Sequence, residues 1–436
     1  MQVVVLAAGK SKRLQPVRDK NLINILGKPL IERQIKALRD ARFERIFVVG
    51  GEHNLDELKK ALKEFKNIDF AEQKDLKEGM AGAVLSVKDK IDKNEPVLVF
   101  SANDVVDIEA FKTVFDNQND EADSLIVAKK VDKYFPGGYL EVDHEQFIKK
   151  IIEKPGEGKE PSNLINIVVH LHKNPSKLID HLEKTKSKKD DRYEMALNSM
   201  IKAGLKMKAL EYTGYWQAIK YPWHISEIWR YYFNKSQKYI KSKDISSRAI
   251  IKGDVIIEEG VKILEGAIVN GPCYLGENTV IANNALVREA HVGAECVIGF
   301  STEVARSYLG ENVWTHSNYI GDSVIGNNCA FGSGTVTGNL RLDEKNVQVN
   351  IEGEKVDCGH TKMGLIMGDN VRVGINCSFM PGVKVFPNSM ITAGISITSD
   401  IPFNSFVKGN FEIEIKENRA KLDKEARNAF KKKFIE

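Results

Sequence analysis

Between Met367 and Ile397 the chain places an apolar residue at every sixth position: Met367, Val373, Phe379, Val385, Ile391 and Ile397. Shorter ladders of the same spacing run Leu275, Ile281, Val287 and Val292, Ile298, Val304. A helix repeats at about 3.6 residues and a half-buried strand at two, so neither produces this spacing. A left-handed parallel β-helix does, because each triangular coil has six-residue sides that each turn one aliphatic side chain inward. Glycine after the aliphatic residue, at Gly276, Gly293, Gly310 and Gly368, fits the tight corners. Residues 338–362, "GNLRLDEKNVQVNIEGEKVDCGHTK", break the period and predict a loop thrown out from one coil. Long insertions in regular solenoids are where function concentrates.

The first half reads differently. "VVVLAA" at 3–8, "RIFVVGG" at 45–51, "PVLVFSAND" at 96–104 and "DSLIVAKKV" at 123–131 are near-continuous apolar runs, as expected of strands buried on both faces. Between them, "LIERQIKALRDA" and "NLDELKKALKEF" carry apolar residues at helical spacing. The alternation predicts a Rossmann-like α/β domain around a mainly parallel sheet, with its ligand site beyond the carboxyl ends of the strands. The expected organisation is an α/β domain at 1–230, a polar linker at 231–248, a β-helix at 249–410 and a charged helix at 411–436. In that helix Leu422, Ala426, Phe430 and Phe434 form a stripe suited to packing on the β-helix or on a neighbouring subunit.

A length of 436 residues suits two or three domains. The net charge of +4, on 64 basic and 60 acidic residues, gives no bulk electrostatic case for nucleic acid. No uninterrupted apolar stretch approaches a membrane span, and the first residues enter a strand pattern instead of a leader, so the expected location is the cytoplasm. Cys273, Cys296, Cys329, Cys358 and Cys377 form no CxxC pair and read as small buried residues.

The chemistry-bearing motifs begin with "LAAGKSKR" at 6–13, followed by Lys20 and "GKPL". An acidic strand end at Asp104, "EKP" at 153–155 and the β-helix follow in order. Together these resemble the sugar-1-phosphate nucleotidylyltransferases. The closest branch is the bifunctional one that joins N-acetylglucosamine-1-phosphate uridylyltransferase to glucosamine-1-phosphate acetyltransferase, with its archaeal relatives. In that family a sugar 1-phosphate oxygen attacks the α-phosphorus of a nucleoside triphosphate such as UTP or dTTP, and pyrophosphate leaves. The resemblance places Ala8, Gly9 and Ser11 at the triphosphate, Arg13 on the leaving pyrophosphate, and Lys20 as a point charge on the reacting phosphates. It places Gln73 and Gly79, in "EQKDLKEGMAGAV", at the nucleobase, and Gly138, Glu153 and Asn166 at the sugar, such as glucose or N-acetylglucosamine 1-phosphate.

The resemblance implies Mg²⁺ at Asp104, with a second Asp from a "W-x-D-I-G"-like segment. Here that segment reads "GYWQAIKYPW", with Ala218 at the Asp position and Lys220 where Gly is usual. Ser11 replaces the second glycine of the fingerprint, as in related cytidylyltransferases, and Val168 replaces a glycine under the sugar.

The β-helix half resembles the acetyltransferase of the same enzymes, whose co-substrate is acetyl-CoA. By that likeness His316 is the general base on a sugar amine, Tyr319, Asn339 and Lys345 hold the sugar phosphate and acceptor, and Arg288 binds phosphate. Departures fall at Ala305-Arg306, where a basic pair is usual, and at Gln348, where archaeal relatives carry Lys. Such sites lie between subunits, which implies a homotrimer. Three readings stay open on sequence: a bifunctional enzyme, a binding-only amino-terminal domain beside a working acyltransferase, and a regulatory or scaffolding trimer.

Overall fold

The computed structural model describes residues 1–187, 189–410, 414–421 and 423–433. The apolar runs of the first half form one sheet whose order is Ile148–Glu153, Gly138–Val142, Leu164–His172, Val97–Ser101, Gln2–Leu6, Arg45–Gly50, Ile68–Glu72. The last four of these strands run parallel. Leu164–His172 joins them antiparallel and also pairs antiparallel with Ser124–Lys130. The sheet is therefore mixed rather than mainly parallel. The strand within "DSLIVAKKV" is buried over 124–128, with Lys129 and Lys130 emerging from the core, and its parallel neighbour is Met207–Glu211. Helix Leu30–Asp40 covers one face with Leu30, Ile31, Ile35 and Leu38, at helical spacing. Strands Gln2–Leu6 and Val97–Ser101 end side by side, Leu6 opposite Ser101, and release the loops that carry Gly9 and Asp104.

The second half is a β-helix whose three parallel sheets have eight, nine and eight strands among the described residues. All twelve residues of the three ladders point inward, none more than 6% exposed. The glycines after them serve close stacking rather than turning. A Cβ on Gly293 would lie 2.4 Å from the Gly310 carbonyl oxygen of the next coil. One column of left-handed corners falls to asparagine, whose amide tolerates that backbone. Asn312, Asn328, Asn370, Asn388 and Asn404 all have φ near 55–60° and hydrogen-bond one to the next at 2.8–3.2 Å. The five cysteines are buried free thiols.

The expected linker is a joint rather than a tether. Helix His224–Lys235 buries Trp229 and Phe233, and Tyr239–Ile240 already pairs with Val255–Ile257 as the first solenoid rung. The lysines and serines of this stretch mark exposed sides of regular elements, which polarity alone cannot tell from a linker. The halves are docked through polar contacts inside an apolar seam. The Tyr308 hydroxyl donates to the Asn24 carbonyl at 2.9 Å, and the Leu26 N–H donates to His291 Nε2 at 3.0 Å. His291 is stacked between Tyr274 and Tyr308, with ring centroids 4.8 and 4.7 Å away. Burial pushes its imidazole down to about 3, so it is the neutral acceptor the Leu26 N–H needs.

Nor is the insertion at 338–362 thrown outward. It folds as a hairpin, Gln348–Ile351 against Glu354–Asp357, over a Glu352-Gly353 turn with φ of 50° and 94°. Val347, Val349 and Ile351 alternate into the same apolar cluster as Leu14, Ile25, Trp229, Tyr274 and Tyr308. The hairpin is thus a wedge between the halves. At the carboxyl end, helix Lys424–Lys432 starts from an Asp423 cap that accepts from Glu425 N and Ala426 N. Of its expected stripe, Leu422 and Phe434 lie outside the described residues. Phe430 is 64% exposed. No described helix is long and apolar enough to cross a membrane.

Candidate active sites

The loop after the first strand is braced from two sides. Asn54 Nδ2 donates to the Ala7 carbonyl and to Asp19 Oδ2, each at 2.9 Å, and the Asp19 carboxylate accepts from Asn21 N at 2.8 Å. Ser11 sits in the left-handed region, φ 50° and ψ 32°, which explains why glycine suits this place in the fingerprint. Its hydroxyl receives the Lys20 N–H at 3.4 Å. Lys20 is 9% exposed. Burial lowers its ammonium, while Asp104 and Asp19 oppose that shift and Arg13 adds to it. Arg13, Lys20 and Asp104, the charges expected at the phosphates, are therefore close enough to act on one another. Ala8 is buried and Gly9 faces Asn103. The Asn103 Oδ1 atom is buried without a hydrogen-bond partner. The Arg13 guanidinium lies 4.0 Å from Glu352, on the turn of the inserted hairpin.

The residues expected at the base follow strand Ile68–Glu72, and those expected at the sugar lie on strands Gly138–Val142, Ile148–Glu153 and Leu164–His172. Gln73 Nε2 donates to the Asp75 and Gly79 carbonyls at 3.1 and 2.9 Å, closing the loop between them. Gly79 has φ 55° and ψ −144°, a backbone conformation that calls for glycine, and a Cβ there would also displace the exposed Asp190 carboxylate, 2.6 Å away. Gly138, Glu153 and Asn166 converge. A Cβ on Gly138 would lie 2.8 Å from Asn166 Nδ2 and 3.1 Å from Glu153 Oε2. Asn166 Nδ2 is buried with no partner, a donor held ready beside a carboxylate. Val168 packs against the apolar core of this half. Glu153 pairs with Lys154 at 3.0 Å. Close by, Glu194 is 5% exposed, and burial, with Glu153 and Asp190 adding to it, pushes its carboxyl up to about 8.

The donor set does not suit a protein-held Mg²⁺. Asp104 Oδ2 already accepts the Trp216 indole N–H at 2.9 Å, and burial raises its carboxyl. Its antiparallel cross-strand partner is Ala218, which has no ligating atom. No group of three or more His, Cys, Asp or Glu able to hold a metal occurs among the described residues. Charges of both signs lie nearby. The Lys220 ammonium feels Asp104, Arg13, Lys154 and Glu153, and burial lowers it to about 8. The sequence marked Ala218 and Lys220 as departures, and Trp216 opens the same segment, but nothing in it shows that the indole holds Asp104; Glu194 lies outside every motif, and its burial here has no sign in the sequence.

In the β-helix, Asn339 Nδ2 donates to the Tyr319 hydroxyl at 3.1 Å and to Asp322 Oδ2 at 2.5 Å. Asp322 is also held by Arg306 through two bonds of 2.7 and 2.8 Å. Arg306, which the sequence marked as a departure, is thus the organiser of this cluster. Arg288 lies on the same sheet, bonded to Glu303 at 2.8 Å, and Glu303 is the cross-strand partner of Tyr319. His316 and Lys345 are exposed. Among the described residues no hydrogen bond or ion pair joins either side chain to Tyr319 or Asn339.

The chain matches the nucleotidyl transferase family over residues 2–219 and the bacterial transferase hexapeptide (six repeats) family over residues 254–289. It is 35% identical to the bifunctional protein GlmU of Methanocaldococcus jannaschii, across 93% of this chain and 97% of that one. It is 34% identical to a bifunctional sugar-1-phosphate nucleotidylyltransferase/acetyltransferase of Sulfurisphaera tokodaii, across 94% of this chain and all of that one. The bifunctional protein GlmU of Clostridium botulinum is 25% identical across 92% of this chain and 94% of its own.

Proposed function

The chain belongs to the nucleotidyl transferase family, with a hexapeptide-repeat β-helix behind that domain, and on this premise we propose a cytoplasmic homotrimeric enzyme with two active sites. The first transfers a nucleotidyl group from UTP or dTTP to a sugar 1-phosphate and releases pyrophosphate. The second acetylates an amino-sugar 1-phosphate from acetyl-CoA. The observation that carries the first site is the convergence of Gly138, Glu153 and the orphaned Asn166 amide, together with a second group in which Arg13 and Asp104 act on Lys20.

The mechanism follows from those groups. Loop amides around Ala8, Gly9 and Ser11 cradle the triphosphate, and the Gln73–Gly79 loop takes the base edge. Glu153 accepts sugar hydroxyls, Asn166 donates to the sugar, and Gly138 lets the ring lie against backbone. Lys20 neutralises the reacting phosphates while Arg13 draws on the leaving pyrophosphate. Arg13 must leave Glu352 to do so. Members of this family in general draw on a divalent metal and on acetyl-CoA. Of the expected Mg²⁺ pair this chain keeps Asp104 alone, and the steps above rest on its own cations.

At the second site His316 takes the proton of the attacking sugar amine, the acetyl carbon passes from the thioester sulfur to that nitrogen, and the CoA thiolate leaves. Tyr319 and Asn339, already bonded, hold the sugar with Arg288 and Lys345. A neighbouring subunit completes the site. Support for the trimer is the outward ladder Trp314, Ala330, Arg372, Met390, Phe406 on one sheet, where Trp314, Met390 and Phe406 are 55–68% exposed.

Pyrophosphate release from UTP and dTTP over a panel of sugar 1-phosphates tests the first site, with Lys20→Met as the inactive control. A second reading, an amino-terminal domain that binds without turnover, is favoured by Ala218 facing Asp104. Nucleotide binding without pyrophosphate release in that assay selects it.

A further inference from the structure

Lys220 stands where the phosphate and sugar ends of the nucleotidyl pocket meet. Its Nζ lies 3.5 Å from the centroid of the Phe135 ring and donates to the Pro136 carbonyl at 3.1 Å. Phe135 is edge-on to Trp216 at 4.8 Å, and the Trp216 indole holds Asp104. Lys220, Phe135, Trp216 and Asp104 therefore form one continuous wall. The backbone fixes where that wall presents its charge. Ile219 N donates to the Asn103 carbonyl at 3.0 Å, and Lys220 N donates to His224 Nδ1 at 3.2 Å.

Two of the charges Lys220 feels, Asp104 and Arg13, belong to the phosphate end, and two, Glu153 and Lys154, belong to the sugar end. An ammonium has three N–H donors. One is spent on Pro136, and no other hydrogen bond of this side chain occurs among the described residues. The ring face braces the cation without consuming a donor. Arg13, Lys20, Lys154 and Lys220 bring four cations here against the carboxylates of Asp19, Asp104, Glu153 and Glu352, so it is the free donors of Lys220, rather than a net charge, that suit this place to an anion.

We propose that Lys220 is a substrate-binding residue of the nucleotidyl site, whose ammonium takes phosphate oxygens at the junction of sugar and nucleotide. It supplies from the chain itself the positive charge that the donors at 104 and 218 cannot hold as a metal. Binding of the reacting phosphates then needs no divalent cation held by the protein. This rests on the nucleotidyl reading above.

The test is calorimetric titration of the full-length protein with UTP, dTTP and N-acetylglucosamine 1-phosphate, in EDTA and in Mg²⁺. Native protein should bind in EDTA within about threefold of its affinity in Mg²⁺. Lys220→Met, which keeps the apolar stem on Phe135, should bind at least about tenfold more weakly in EDTA, the scale of a lost charge-assisted hydrogen bond. Lys220→Arg should recover most of that loss, which a merely structural role would not produce. If Lys220→Met binds like the native chain, or native binding collapses in EDTA, the Lys220 assignment is overturned and the nucleotidyl reading stands. If no ligand binds the native chain in either buffer while its thermal melt is cooperative, both are overturned.

Discussion

Ala218 and Asp104 are antiparallel cross-strand partners, and the Trp216 indole, two residues before Ala218, closes onto the Asp104 carboxylate. Side chains directly opposite each other in such a pair have Cβ atoms about 5 Å apart. Ala218→Asp therefore sets a second carboxylate beside the first, at a spacing one divalent cation can bridge. The variant is expected to bind Mn²⁺ at least about tenfold more tightly than the native chain, read by electron paramagnetic resonance of the free ion. Equal affinities would mean the two positions do not face a common space.

Glu194 makes stability depend on pH. Its folded carboxyl titrates at about 8 against an ordinary value of 4.5, so the neutral form's contribution is complete below about pH 4.5 and is lost as pH rises through about 8. Urea unfolding should show the native chain losing about 2 kcal/mol between pH 6 and pH 9 relative to Glu194→Gln. Parallel profiles for the two proteins would refute the assignment.

The cluster that includes Ile351, Trp229 and Tyr308 joins the hairpin, the α/β half and the β-helix. Ile351→Asp buries a carboxylate there and should cost about 3 kcal/mol. A single calorimetric transition should split in two as the halves unfold separately. One unshifted transition would show that the seam does not hold them.

Gly138→Ala sets a methyl against the Asn166 amide and Glu153. The expected result is a rise of about tenfold or more in KM for the sugar 1-phosphate with KM for the nucleotide within about twofold, since crowding is confined to the sugar end. A comparable rise for both substrates would mean that the loop, rather than the sugar pocket, was disturbed.

Much of this architecture is legible in sequence because its causes are local. The sixfold ladders require one inward residue per side, and each of those residues is buried. The loop after the first strand is legible as a loop because a buried apolar run ends at it and Gly9 follows. The hairpin is partly legible: Val347, Val349 and Ile351 alternate up to a Glu-Gly turn and Val356 follows it, but the broken sixfold period masks a period of two. What sequence could not give depends on contacts between distant segments. Tyr308 and His291 face outward from their coil and look like surface residues until Asn24 and Leu26 cover them. Lys220 looks like an exposed departure until Phe135 lies under its ammonium. Glu194 is an ordinary helix carboxylate by sequence, and only burial beside Glu153 gives it a role.

The central claim is that both sites work in one chain. The most direct test incubates the purified full-length protein with glucosamine 1-phosphate, acetyl-CoA and UTP or dTTP, and follows the nucleotide sugar by mass spectrometry. The acetylated nucleotide sugar should form from all three components. His316→Ala should make it only when supplied with N-acetylglucosamine 1-phosphate, and Lys20→Met should make none. Absence of the nucleotide sugar with the native chain, or undiminished product from glucosamine 1-phosphate in His316→Ala, would contradict the account.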